Sequence, residues 1–174
     1  MKYSAEKSVG AILLLVVALL FMGIPPAAAE SGSKPLLISP KANAPTRAVA
    51  ADDPAAAAAA AGVCGTGYSL YYAERLPDER RFGTLFIYTK PGAAENQPVC
   101  AIFDNNTSAA KYMKIKLCSN WIADGCTQDS GTFSQYAGPV YQKRGGCGKV
   151  TAIMKNSASS STALIDAVRS TTAC

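Results

Sequence analysis

Cysteine number and position constrain the fold of this chain more than any other feature. All six cysteines lie from residue 64 onward, at Cys64, Cys100, Cys118, Cys126, Cys147 and Cys174. An even number of cysteines in a short segment behind an export signal is typical of a disulfide framework. A segment of this length forms only a thin hydrophobic core, to which crosslinks add stability. The chain has no histidine and no CxxC pair, so zinc-site spacing is missing. We therefore predict three disulfides and no metal or other cofactor.

The N-terminal segment has the pattern of a secretory signal peptide. Lys2 and Lys7 precede an uncharged apolar run from Val9 to Ile24, and two prolines and three alanines follow that run. A basic start, an apolar middle and a small-residue cleavage site are the three parts of such a signal. A retained membrane anchor is the alternative, because a span needs about 20 apolar residues. The small residues favour cleavage, and we predict a signal peptide over residues 1–29.

Residues 30–62 are rich in alanine and proline and contain no aromatic side chain. Such a segment buries too little apolar surface to offset the entropy lost on ordering. The alanine run from Ala55 to Ala61 has a high helix propensity, but an isolated helix this short is marginal in water. We predict a disordered Ala/Pro-rich linker or pro-segment here, with the folded domain starting at Val63.

Residues 63–174 contain short β-branched and aromatic runs bounded by turn residues, the pattern of strands. In KYMKIKLC, Met113, Ile115 and Leu117 alternate with Lys114 and Lys116, which is the period of a half-buried strand. Several such strands at close spacing predict an all-β domain, a small antiparallel β-sandwich or barrel stapled by disulfides. Residues 161–170, STALIDAVRS, have the most helical pattern, although a final strand fits nearly as well.

Six cysteines allow fifteen pairings, and spacing alone does not select one. Cys118 and Cys126 flank SNWIADG, whose turn-forming residues bring the two ends together, so we expect these two to pair. The remaining four lie near the start, the middle, the late part and the end of the domain. We expect Cys64 to pair with Cys100, and Cys147 with Cys174.

The run DSGTFSQYAGPVY, from Asp129 to Tyr141, is predicted to form two strands that meet at a corner made by Ala137, Gly138 and Pro139. Proline holds its own φ near −65° and keeps the residue before it out of the helical region, which sets the direction of the chain.

This run resembles a signature of the secreted spore-associated protein family of filamentous actinobacteria. The resemblance also rests on the start CGTGY at Cys64, on the cysteine of PVCAIF, and on the cysteines at positions 147 and 174. The chain differs by its Cys118 and Cys126 pair, by its long linker, and by having no tryptophan after the later cysteine. The resemblance implies a secreted protein, extracellular or on the spore or cell surface, with no agreed enzymatic role.

Candidate functional residues are few. Without histidine, a Ser-His-Asp arrangement is excluded, and we predict that the protein is not an enzyme. The tentative binding residues are aromatic or basic: Trp121, Lys114, Lys116, Tyr136 and Tyr141. They suit a cell-envelope polymer or an extracellular protein. Nucleic acid is not the expected partner, because no reading motif accompanies the charge, and no membrane is expected after signal cleavage.

Two hypotheses from different classes follow. The first is a non-enzymatic protein held at the spore or hyphal surface by exposed basic and aromatic residues. The second is a secreted inhibitor-type module that presents the Cys118 to Cys126 loop to an extracellular enzyme, with Trp121 as the anchor. The sequence leaves the oligomeric state open.

Overall fold

The computed structural model describes residues 35–174, so the predicted signal peptide and the first residues of the predicted linker lie outside the described part. The described residues belong to one compact unit. Its α-helices and strands are α1 Ala44–Asp52, α2 Pro54–Cys64, β1 Ser69–Leu76, β2 Gly83–Thr89, β3 Val99–Asn105, β4 Lys111–Cys118, β5 Cys126–Phe133, β6 Tyr136–Gln142, β7 Lys149–Lys155 and β8 Ala163–Ser170. Over residues 35–174, the helices are too short or too polar to cross a membrane.

The strands form two four-stranded antiparallel sheets. Sheet A has the order β1-β2-β3-β6 and sheet B the order β5-β4-β7-β8. The main apolar cluster contains fully buried side chains from both sheets, among them Leu85 and Phe103 from sheet A and Ile115 and Met154 from sheet B. The predicted all-β fold, a small antiparallel β-sandwich or barrel, is therefore confirmed, and the two sheets do not merge into a closed barrel.

The prediction of a disordered linker over residues 30–62 is wrong for its described part. Asn43 caps α1 by accepting a hydrogen bond from the Thr46 backbone at 2.9 Å. Asp53 caps α2 in the same way at the Ala56 backbone, at 3.1 Å. Before the helices, Leu37 and Ser39 exchange backbone hydrogen bonds with Leu70 of β1. The folded region therefore extends well before Val63.

Packing against sheet A explains why these two short helices are ordered. The outer face of that sheet contributes Phe86, Tyr88 and Ile102 to a second apolar cluster, into which α1 and α2 insert alanine side chains. The Tyr88 hydroxyl donates to the Ala57 carbonyl at 2.6 Å. Helices that are marginal alone are stabilised in this way by tertiary packing.

The sequence of β2 indicates that the outer face of sheet A is covered. All seven residues of β2, GTLFIYT, are buried. A strand with one solvated face alternates apolar and polar side chains, whereas a continuous apolar run indicates a strand covered on both faces. Something outside the two sheets therefore had to lie on sheet A.

Two local predictions need correction. Residues 163–170 form β8, so the helical alternative for STALIDAVRS is wrong. The predicted corner at Ala137, Gly138 and Pro139 lies inside β6, and the chain bends at Ser134 and Gln135 instead.

An irregularity in the pairing of β3 with β6 accommodates the Gly-Pro pair. The register is shifted between Ala101 and Phe103, opposite Gly138 and Pro139. Gly138 has φ +101°, and a Cβ there would lie 2.9 Å from the Ala101 carbonyl oxygen, so only glycine fits. The Asp129 carboxylate accepts a hydrogen bond from the Gly138 backbone at 2.8 Å. The residues of the DSGTFSQYAGPVY run thus determine how β6 pairs with β3.

The three expected disulfides are confirmed: Cys64 with Cys100, Cys118 with Cys126, and Cys147 with Cys174. The first ties the C-terminal end of α2 to β3. The second closes the loop between β4 and β5, and the third holds the C terminus to the segment before β7.

Candidate binding surfaces

Lysines alternate with core residues along β4. Met113, Ile115 and Leu117 are fully buried, whereas Lys114 and Lys116 are half-buried on the opposite side of the strand. Successive side chains of a strand point to opposite faces of the sheet, so the two lysines lie on the outer face of sheet B, as the sequence predicted.

Strand pairing brings two further lysines to the same face. Tyr112 lies opposite Lys155, and Cys118 lies opposite Lys149 on the adjacent strand β7. Tyr112 and Cys118 lie an even number of residues from Lys114 and Lys116, so all four side chains point to the same face of the sheet. The residues of β7 directly opposite Tyr112 and Cys118 also lie on that face. We define the basic face by these four lysines: Lys114, Lys116, Lys149 and Lys155.

The charge of the basic face is unbalanced. Among the residues that the strand register places on it, Asp166 is the one carboxylate, opposite Ile153. Lys114 and Lys116, two residues apart on β4, are about 7 Å apart, and Lys149 and Lys155 lie at the two ends of β7, so the four charges are distributed over the face. The helices pack on sheet A, and Val168 on the outer side of β8 is 52% exposed. Neither α-helix of the described residues therefore covers the basic face.

The disulfide between Cys118 and Cys126 closes a loop with internal order, which we call the Trp121 loop (residues 119–125). The Ser119 backbone donates to the Gly125 carbonyl at 3.0 Å, and the Asp124 backbone donates to the Trp121 carbonyl at 3.0 Å. The Ser119 hydroxyl also accepts from the Trp121 backbone at 3.0 Å. The backbone is thus held by the disulfide and by its own hydrogen bonds.

The tip of this loop is apolar and exposed. Trp121 is 38% exposed, and Ile122 is 99% exposed. The Arg144 guanidinium carbon lies 4.8 Å from the centre of the Trp121 ring, within range of a cation–π contact. Arg144 therefore holds one face of the ring, while Ile122 is free to contact a partner.

Asp124 fixes the position of Arg144. Its carboxylate accepts two hydrogen bonds from the guanidinium, at 2.9 and 2.6 Å. The hydrogen bond from Arg144 is the main cause of a lowered pKa at Asp124. The charges of this pair therefore balance each other beside the exposed tip.

The two candidate tyrosines lie apart from both surfaces. Tyr136 is half-buried in the apolar cluster under the helices. Tyr141 is 41% exposed, but its ring lies 6.3 Å from that of Tyr68 and its hydroxyl donates to the Val63 carbonyl at 3.1 Å. Both contact the helical cover of sheet A.

The five tentative binding residues therefore lie in three places. Lys114 and Lys116 lie on the basic face, Trp121 is in the loop, and the tyrosines are at the helices. Sequence reasoning missed Lys149 and Lys155, although the run KVTAIMK places its two lysines and Thr151 at alternate positions. It also missed Ile122, for which a single sequence gives no signal.

Among residues 35–174, no group of three histidine, cysteine, aspartate or glutamate side chains is placed to hold a metal ion. Comparisons of this chain with protein-family models, with curated proteins and with solved structures found no match.

Proposed function

We propose that this is a secreted, non-enzymatic protein that associates with the spore or hyphal surface by binding an anionic envelope polymer through its basic face. The observation that carries the proposal is the group of four lysines against one carboxylate on a sheet face that neither α-helix of residues 35–174 covers. The three disulfides are compatible with an extracellular location. The resemblance of the DSGTFSQYAGPVY run to spore-associated proteins supports the choice of surface.

The chemistry favours a repeating polyanion over a small anion. Lysine is a hydrated point charge on a flexible stem and imposes little geometry on its partner. Four lysines distributed over two neighbouring strands bind a polymer by summing weak contacts. Affinity therefore depends on the number of lysines and on salt.

The test is retention on cell-wall preparations from hyphae and spores of a filamentous actinobacterium. The double variant Lys114→Gln/Lys116→Gln should lower retention about tenfold to thirtyfold, because each lysine near an anionic surface contributes about 1 kcal/mol. Retention of the unchanged protein should fall as salt rises toward about 0.5 M.

The matched control is Lys41→Gln/Arg80→Gln, which removes the same charge from exposed residues that precede α1 or lie in the turn between β1 and β2, on the side of sheet A. This control should retain wild-type binding. An equal loss in both double variants, or retention that salt does not change, contradicts binding through the basic face.

The Trp121 loop supports a second function, that of an inhibitor-type binding module. Ile122 is 99% exposed on a backbone held by a disulfide and several hydrogen bonds. A preorganised loop loses little entropy on binding, and an apolar side chain at its tip suits a specificity pocket of an extracellular enzyme.

Subtilisin, chymotrypsin and trypsin serve as probes for this second function. If the loop is inhibitory, Ile122→Ala should raise the inhibition constant at least about thirtyfold, as for a central interface residue. Val168→Ala, a truncation at another exposed apolar side chain, should leave inhibition unchanged. Inhibition that Ile122→Ala does not change would contradict the inhibitor function of the Trp121 loop. A lack of inhibition of all three proteases would contradict it as well.

A further inference from the structure

An apolar groove follows the solvent side of α2. Ala57, Ala60 and Cys64 of this helix are buried toward sheet A. Alanines on its other side, among them Ala55 and Ala59, line a groove of about 690 Å³. This volume is in the range of small-molecule sites.

The lining of the groove excludes most polar ligands. Pro35, Leu37 and Tyr68 also line it, and none of the lining residues that the structure describes is charged. Leu37 is 58% exposed. A helix that is apolar on all sides is normally covered on all sides, so α2 together with Leu37 favours an apolar occupant.

One end of the groove carries a positive charge. The Lys90 ammonium lies 4.7 Å from the centre of the Tyr68 ring. Its side chain passes the groove residue Gly67, where an added Cβ would lie 3.7 Å from Lys90 Cε. The ion pairs found in the described chain involve Arg75, Arg144 and Arg169, and Lys90 is in none of them.

We propose that this groove binds a long-chain fatty acid, with the alkyl chain along α2 and the carboxylate at Lys90. The alkyl chain needs no hydrogen-bond partner, whereas a peptide would leave backbone groups unsatisfied against an alanine wall. The groove runs from Ala55 to Gly65, a length of about 15 Å along a helix. An apolar channel with a cation at one end matches the charge and shape of a single-chain anionic amphiphile. The site does not involve the basic face.

The experiment is calorimetric titration of the oxidised protein, produced from the full chain, with decanoate and dodecanoate below their micellar concentrations and with dodecanol below its solubility limit. Dodecanoate should bind at one site, and more tightly than decanoate, by up to about fourfold for each buried methylene. Lys90→Gln should weaken dodecanoate binding about fivefold and leave dodecanol binding unchanged.

Ala59→Glu places a carboxylate in the groove at an exposed helical position. It should lower the binding affinity for dodecanoate and for dodecanol at least about tenfold. Ala51→Glu, at an exposed position of α1 outside the groove, is the matched control and should bind as the unchanged protein does. Circular dichroism and the unfolding midpoint verify that both variants fold.

Failure to bind dodecanoate, or equal binding by Ala59→Glu, overturns the proposal. Vesicles of phosphatidylglycerol separate a free fatty acid from a lipid surface. If the protein binds the vesicles, loses that binding with Ala59→Glu and does not bind free dodecanoate, a membrane surface replaces the fatty acid as the occupant.

Discussion

Glu74 of β1 and Arg169 of β8 connect the two sheets through their side chains. The guanidinium donates to both carboxylate oxygens, at 2.6 and 2.8 Å, and the Tyr72 hydroxyl donates to the same carboxylate at 2.6 Å. Burial raises the pKa of Tyr72 to about 12, with the hydrogen bond to Glu74 as the next cause. Burial also acts to raise the pKa of Glu74, but the hydrogen bonds from Arg169 and Tyr72 outweigh it, and the pKa is lowered.

Glu74→Gln should lower the free energy of unfolding by about 1–3 kcal/mol, because it removes charged hydrogen bonds that are partly shielded from water. Urea denaturation measures this loss. The matched control is Asp52→Asn, which removes the more exposed ion pair with Arg75 and should cost at most about 1 kcal/mol. Equal losses would mean that Glu74 does not hold the sheets.

The decrease in the free energy of unfolding caused by Glu74→Gln should also depend on pH. A lowered folded-state pKa means that the carboxylate stabilises the fold above the ordinary value of 4.5, and that this stability is lost as pH falls through the folded-state pKa. The stabilities of the two proteins should therefore converge in acid. A difference that persists below that pKa would show that the charge is not responsible.

Among the secondary-structure elements, α1 is attached to sheet A by a buried side-chain hydrogen bond. Thr46 is fully buried, and its hydroxyl accepts from the Ala73 backbone of β1 at 3.1 Å. Arg47 next to it donates to the carbonyls of Ser39, Pro40 and Ala42. These bonds attach α1 both to the sheet and to the segment before it.

Thr46→Val should therefore destabilise the protein by about 1–3 kcal/mol, because it leaves the Ala73 amide buried without an acceptor. Trypsin should cut the native protein slowly after Arg47 and cut the variant faster, as read by mass spectrometry. Thr132→Val, at an exposed position of β5, is the control and should leave cleavage unchanged. Rapid cleavage of the unchanged protein would mean that α1 is not docked.

In the molecule as a whole, disulfides and side chains connect parts that backbone pairing leaves apart. Glu74 and Arg169 link one pair of edge strands. At the β5 and β6 edges, Thr127 donates to the Tyr141 carbonyl at 2.9 Å, and Asp129 accepts from Gly138. The disulfide between Cys64 and Cys100 ties the helical cover to sheet A.

Removing Cys64–Cys100 should cost more stability than removing Cys118–Cys126. The first bridge joins residues 36 apart and the second residues 8 apart. In the chain-entropy account, this difference in loop length corresponds to about 1 kcal/mol. Paired Cys→Ser variants compared by urea denaturation measure it. Equal costs, or a larger cost for the short loop, would contradict this order.

Much of the sandwich was predictable because alternation along a strand is a local property. KYMKIKLC showed its buried and exposed sides in its own residues, and β4 has that pattern. The Cys118–Cys126 pair was also local, since eight residues separate its members. The bend after Phe133 was misplaced because the distant strand β3 decides how Gly138 and Pro139 are accommodated.

The sequence by itself determined a disulfide-stapled β domain, because cysteine number, strand alternation and turn residues act over short stretches of chain. Only the tertiary structure decided that the alanine-rich segment is ordered, since the apolar face that holds it comes from β1, β2 and β3. It also decided which charges share a surface, because Lys149 and Lys155 join Lys114 and Lys116 only when β7 pairs with β4. Contacts between residues far apart in the chain decide both features, because a local pattern such as the apolar run of β2 indicates that a strand is covered but not which segment covers it.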